Sequence, residues 1–236
     1  MRLEPRDRLM VALDVASLGE AETLLDRLDG VARTFKVGSQ LFTAAGPAVV
    51  ELIRKRGARV FLDLKFHDIP ATVAGAVREA GRLGVSFLTV HASGGSGMLR
   101  AAAAAADQAS GERPLVLAVT VLTSLDRAAL QRELEVPLAV EGHVVHLAAL
   151  AREAGCDGVV ASPREARPLR TVLGPAALLV TPGIRPASAA RDDQVRTATP
   201  RAARRAGADY VVVGRPITAA ADPAAAAEAI VRELGE

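Results

Sequence analysis

The stretch Phe61-Leu62-Asp63-Leu64-Lys65-Phe66-His67-Asp68-Ile69-Pro70 decides how this chain reads. It opens as an apolar strand and closes on a proline-led helix start. Between the two, Asp, Lys and Asp stand at 63, 65 and 68. Side chains alternate faces along a strand, so Asp63 and Lys65 share a face with Phe61, while Leu62 and Leu64 share the other. A parallel strand covered by helices is apolar on both faces. Two charges on its inner face are costly unless they pair or take part in chemistry. The plainer alternative is an Asp63–Lys65 ion pair, with Asp68 capping the helix that opens at Ile69-Pro70.

Working outward, eight strand-like runs occur at residues 9–15, 34–38, 59–66, 87–92, 115–122, 158–162, 178–182 and 210–214. Helical patterns alternate with them. Ser17 with Glu20, and Ser162 with Glu165 behind Pro163, have the form of capping boxes. Thr199-Pro200 and Asp222-Pro223 repeat a cap followed by proline. The helical patterns end in glycine turns, as at Gly57, Gly155 and Gly207. Strict alternation argues a parallel sheet, and eight repeats argue closure. The expected fold class is α/β, a single (β/α)8 TIM barrel over residues 1–236, close to the ~250 residues typical of that fold. An open doubly wound sheet competes with it. Against that alternative, residues 11–14 lead into no G-x-G-x-x-G turn.

Composition supports a large core and excludes several partners. Half of the 236 residues are hydrophobic (50%), and no Pro/Ser-rich linker divides them. The net charge of +2 comes from interleaved acids and bases, so no nucleic acid is expected. Five Phe, one Tyr and no Trp leave few platforms for stacked bases. Cys156 is the single cysteine, which leaves no intrachain disulfide or thiolate metal cluster. Its setting, a turn entering a strand, reads as that of a buried small hydrophobe. The first eight residues are rich in charge, and the apolar run after them is too short to span a bilayer. No membrane partner and a cytoplasmic location are therefore expected. Arg dominates the basic residues, and Lys stands only at 36, 55 and 65. Arg cannot replace a lysine that must give up a proton.

Barrel active sites lie at the carboxyl ends of the strands. Polar residues collected there are Asp14, Lys36, Asp63, Lys65, Asp68, His91, Thr123 and Ser124. Thr181-Pro182-Gly183-Ile184-Arg185 follows the seventh run and Gly214-Arg215-Pro216 the eighth. Four charges alternating in sign on three adjacent strands are close enough to form one network. The last two loops each offer glycine for close backbone approach and arginine for forked pairing with phosphate oxygens. Residues 185–198 make a long, polar loop suited to a lid, with Gln194 as its uncharged donor. His91 reads as support for the rim, His67 has no assigned role, and His143 and His146 read as exposed or locally satisfied.

These pieces, in this order, closely resemble the bacterial orotidine 5′-monophosphate decarboxylase family. The matching segments are Ala12-Leu13-Asp14, Phe35-Lys36-Val37-Gly38, the stretch from Asp63 to Pro70, Val90-His91-Ala92-Ser93-Gly94-Gly95, Val119 to Ser124, Thr181 to Pro186, and Val213 to Thr218. The resemblance covers nearly the whole chain. It implies a homodimer acting on orotidine 5′-monophosphate to give UMP, without cofactor or metal. Lys65 would protonate C6 of the pyrimidine as CO₂ leaves, within a Lys36-Asp63-Lys65-Asp68 network. Asp63 would lie beside the substrate carboxylate, and Asp14 with Lys36 would bind ribose hydroxyls. Thr123 and Ser124 would meet the pyrimidine edge. Gln194, Gly214 and Arg215, helped by Arg185, would hold the phosphate, and Pro182 belongs to the same substrate-binding set. Asp68 and Thr72 would reach into the partner's site.

The chemistry agrees with the residue types. Loss of CO₂ leaves an electron pair in the ring plane, outside the π system, where a fixed cation is its most direct stabiliser and can then donate the proton. Acidic neighbours favour the charged form of that lysine. The enzyme alternative is a Mg-dependent 3-keto sugar phosphate decarboxylase on the same barrel, using Asp, Lys and Asp to hold metal and enediolate. A silent barrel that only binds a phosphorylated metabolite is the non-enzyme alternative.

Overall fold

A computed structural model, which describes residues 3–186 and 197–236, shows eight parallel strands closed into a barrel in chain order. They are β1 (Leu9–Ala12), β2 (Thr34–Gly38), β3 (Arg59–Phe66), β4 (Phe87–His91), β5 (Leu115–Val119), β6 (Gly158–Val160), β7 (Leu178–Thr181) and β8 (Tyr210–Val213). Closure is direct: β1 pairs with β2 on one side and with β8 on the other, Leu9 opposite Val211. Helices α1 (Leu18–Arg27), α2 (Ser39–Ala45), α3 (Ala48–Lys55), α4 (Pro70–Arg82), α5 (Gly95–Asp107) and α6 (Arg127–Arg132) alternate with the first strands. They are followed by α7 (Val140–Glu153), α8 (Ala166–Leu173), α9 (Pro200–Arg205), α10 (Arg215–Thr218) and α11 (Pro223–Gly235).

The period-2 pattern of the strands sorts two cores. Met10, Ala12, Phe61, Phe87, Leu117, Val180, Tyr210 and Val212 fill the barrel interior. Their chain neighbours Leu9, Val11, Leu62, Leu88, Val116 and Val211 face outward, against the helices. Phe87 stands edge-on to Phe61 at 6.1 Å and to Tyr210 at 5.3 Å, a geometry that aromatic quadrupoles favour. Burying each phenylalanine contributes roughly 1.5–3 kcal/mol. This aromatic plug is the floor on which the charged side chains further along the strands rest.

The strands leave the ladder earlier than their apolar runs suggest: β1 at Ala12, β5 at Val119 and β7 at Thr181. The chain stays extended and tied beyond those points. Leu13 N–H still donates to Lys36 O at 2.9 Å, and Thr120 N–H to Val160 O at 3.1 Å. Residues past the last ladder bond are thereby free to turn toward the barrel axis.

Helix starts follow the capping signals. Ser17 accepts from Glu20 N–H, and Glu20 returns by accepting from Ala16 N–H. Thr199 and Asp222 cap α9 and α11, and Gly57, Gly155 and Gly207 all take positive φ after their helices. The plainer alternative for Asp68, capping the next helix, is not what the structure shows. The helix begins at Pro70 with Ile69 as its cap residue, because a residue before proline is held extended (φ −58°, ψ 152°). The Asp68 carboxylate instead accepts from the adjacent Ile69 N–H at 2.6 Å.

At the opposite, amino-terminal end of the barrel, two aspartates act alike. Asp157 accepts from Val116 N–H and pairs with Arg113, and Asp209 accepts from Leu179 N–H and pairs with Arg170. Each ties one strand's start to its neighbour. Beside the first pair, Cys156 is 8% exposed, and burial pushes its thiol up to about 12, with Asp157 adding and Arg113 opposing. It packs in the sheet–helix core as an inert small hydrophobe. Among the described residues, no helix is long and apolar enough to cross a membrane.

Candidate active site

β1, β2 and β3 are neighbours, so residues at their carboxyl ends meet. Lys36 Nζ lies 3.1 Å from Asp14 Oδ1 and 3.6 Å from Asp63 Oδ2, and Lys65 Nζ lies 3.0 Å from Asp63 Oδ1. The result is a line of alternating charge, Asp14–Lys36–Asp63–Lys65. Its middle is withdrawn from water: Lys36 and Asp63 side chains are 12% and 13% exposed, against 53% for Asp14 and 34% for Lys65. Removing either withdrawn member, Lys36 or Asp63, would leave opposite charge under-compensated in a poorly solvated place, which is unfavourable. Space for this line is left by two glycines. A Cβ on Gly38 would stand 3.1 Å from Lys36 Nζ, and one on Gly214 would stand 3.2 Å from Asp14 Oδ2.

Lys65 does not reach this position by ordinary pleating. Its φ is +53°, a conformation costing a non-glycine residue about 1–2 kcal/mol. β3 is bulged there: Leu62 pairs with Leu88 and Phe66 with Val90, so residues 63–65 face Thr89 alone. The bulge turns the lysine inward over Asp63. Such local strain persists only where the surroundings enforce it, and it gathers at functional sites. Thr89, fully buried on β4, accepts from Lys65 N–H at 2.9 Å and donates to Asp63 Oδ1 at 3.0 Å.

These groups line a cavity of about 240 Å³ at the carboxyl end of the barrel. Asp14, Lys36, Asp63, Lys65, Thr123, Pro182, Arg185, Gly214 and Arg215 all border it, above a floor that includes Phe61 and Ala12. The loop after β7 is pinned at its base, where Arg185 N–H donates to Ala198 O and Ala198 N–H to Gly183 O. Gln194 lies outside the described residues. Ser124 is exposed and not part of the cavity wall among the described residues. Asp68 and Thr72 are exposed as well, and Asp68 borders a separate open groove with His67, Ile69, Pro70, Ser93 and Gly94. Ile69 in that groove is 67% exposed. Sequence reasoning missed Thr89 and the space-making role of Gly38. A polar residue at an inward position of an otherwise apolar strand was the signal for the first.

His91 and His67 lie tilted against each other, with ring centroids 5.4 Å apart. Burial first, then the charges of His67 and Lys65, lower the His91 pKa, while Asp63 opposes this. The unfolded chain therefore takes up this proton before the folded one does. Stability is full above about pH 6.5 and is lost as pH falls below it. Melting temperature should drop more steeply on acidification from about pH 6.5 to 5 in the wild type than in His91→Asn. Equal slopes would show that His91 titrates alike in both states. His146 is exposed as expected, whereas His143 is half-buried and its Nδ1 has no partner among the described residues. Burial and His146 lower its pKa too.

Comparison with known proteins agrees with the fold and with the family resemblance. Residues 7–230 match the model of the orotidine 5′-phosphate decarboxylase / HUMPS family. A Moorella thermoacetica protein named orotidine 5′-phosphate decarboxylase is 56% identical over 238 residues, spanning 99% of this chain and 94% of the relative. One of the same name from Halorhodospira halophila is 55% identical over 229 residues, spanning 96% and 95%. The crystal structure of orotidine 5′-phosphate decarboxylase from Lactobacillus acidophilus superposes with a TM-score of 0.87 at 39% identity, covering 98% of this chain and 100% of that one. Full-length matches of this depth, on a barrel of the same topology, place the chain in the orotidine 5′-phosphate decarboxylase / HUMPS family.

Proposed function

We propose that this chain converts orotidine 5′-monophosphate to UMP and CO₂, with Lys65 as the group that replaces the departing carboxylate by a proton. The observation that carries the reading is the line Asp14–Lys36–Asp63–Lys65, ending on a partly exposed ammonium that borders the cavity. As the C6–carboxylate bond breaks, its electron pair stays on C6 in the ring plane. Lys65 Nζ stabilises that pair by its charge and then transfers a proton to it, giving UMP. Asp63 lies where the substrate carboxylate enters, and repulsion between the two is relieved as CO₂ departs. Asp14 and Lys36 bind the ribose hydroxyls. Thr123 and Ser124 meet the pyrimidine edge. Pro182, Arg185, Gly214 and Arg215, with Gln194 from the loop, receive the phosphate. Energy from that remote contact organises the charged line at the reacting carbon.

The working unit in this reading is a cytoplasmic homodimer. Asp68 and Thr72 serve the partner's site and extend its charge line to Lys36-Asp63-Lys65-Asp68. Their absence from the described wall of their own cavity, and the exposed Ile69 beside them, support this. The Mg-dependent sugar-phosphate alternative is less suited to the geometry. Both Asp63 oxygens already face cations, with Thr89 on one of them, so a metal ion would have to displace an ammonium.

The test is an assay of the purified protein with orotidylate after exhaustive chelation. UMP formation, read as a fall in near-ultraviolet absorbance and unaltered by EDTA, is the expected result. Activity that disappears with EDTA and returns with Mg²⁺ would sink the cofactor-free reading.

A further inference from the structure

We infer that Thr89 is a positioning residue for the proton-donating lysine, holding Lys65 in its left-handed conformation and fixing Asp63 beneath it. This rests on the decarboxylase reading of the site, which the wild-type assay tests separately.

The inner face of β4 starts as a packing face. Phe87, two residues earlier on the same face, belongs to the aromatic plug. Valine would fill the Thr89 position with nearly the same shape, and β-branched residues of either kind suit a strand. What valine lacks is the hydroxyl, and at 0% exposure a hydroxyl must find protein partners. It finds two, and both belong to the charge line. The bulge leaves three residues of β3 facing one of β4, so the regular ladder lapses beside Lys65. The Thr89 oxygen takes over as acceptor for the Lys65 N–H at 2.9 Å. Its own hydrogen goes to Asp63 Oδ1 at 3.0 Å, the same oxygen that lies 3.0 Å from Lys65 Nζ. A ring therefore closes through the lysine backbone, the threonine hydroxyl, the aspartate carboxylate and the lysine ammonium. Main chain and side chain of Lys65 are fixed by one hydroxyl.

Thr89 does not border the cavity among the described residues, so it acts through Lys65 and Asp63 and not on substrate. Loss of the hydroxyl should disturb the chemical step and spare binding. A misplacement of reacting groups by about 1 Å can cost a hundredfold in rate.

The experiment compares full-length Thr89→Val and Thr89→Ser with the wild type, measuring kcat, KM and the affinity for UMP by calorimetry. The expected result is a kcat lowered roughly a hundredfold in Thr89→Val, with KM and UMP affinity within about threefold of wild type. Thr89→Ser should restore kcat to within about threefold, since it keeps the hydroxyl. Wild-type kcat in Thr89→Val overturns the inference. So does an equal loss in Thr89→Ser, which would assign the effect to packing. Should the valine variant fail to fold, Thr89→Ala provides the same comparison without adding an apolar group beside Asp63. An impaired kcat with intact UMP affinity then supports the role, and an unimpaired kcat removes it.

Discussion

Lys65→Ala should lower kcat for UMP formation by at least ~10⁴-fold, because in the proposed mechanism it removes both a developing-charge stabiliser and the proton donor. Each of these roles alone is worth a hundredfold or more in comparable enzymes. Alanine is the informative choice at this position. It keeps a Cβ, so the left-handed backbone of residue 65 bears the same strain, and only the ammonium is lost. Asp63 would still face Lys36 Nζ and the Thr89 hydroxyl, so its charge is not stranded. The variant should fold, dimerise and bind UMP. Single-turnover mixing with orotidylate is the measurement. Substantial residual turnover would show that the proton comes from elsewhere, and collapse of the fold would mean that the lysine serves β3 and not the reaction.

Co-expression of Lys65→Ala with Asp68→Ala should rebuild activity that neither variant has alone. With sites shared across a twofold axis, a mixed dimer collects both lesions in one site and leaves the other whole. Random pairing makes half of the dimers mixed, so about a quarter of all sites should be wild type. Differential tags allow the mixed dimer to be isolated and its kcat per dimer measured. No recovery in that species would place Asp68 in the site of its own chain, against the exposed position it takes beside Ile69.

Much of the barrel was legible because its signals are local. Alternation of apolar runs gave the eight strands, and positive-φ glycines and capped prolines marked the helix borders. The rim residues were legible for a geometric reason: parallel strands point their carboxyl ends the same way, so polar residues ending adjacent runs must converge. Other features escaped. Strand ends were overextended, since an apolar chain stays extended and hydrogen-bonded after the ladder stops, as at Leu13 and Thr120. The plainer alternative for Asp68, a helix cap, fails because Ile69 before Pro70 is held extended and takes the cap position itself. Lys65 does join Asp63 as alternation suggests, but through a bulge that no periodicity announces. That irregularity depends on the pairing of β3 with β4, a relation between segments and not a property of either. For the same reason Thr89 gained its meaning only when its neighbours were in place.

The excess of β3 over β4 makes the aim of the Lys65 amine a matter of counting. Three residues stand between Leu62 and Phe66 where one stands between Leu88 and Val90. Deleting or inserting a single residue in that interval would swing the amine toward the helices and bring an apolar neighbour to the axis, whatever the residues' identities. Substitutions on the exposed helices leave that count untouched, whereas a change in the length of this one short peptide does not.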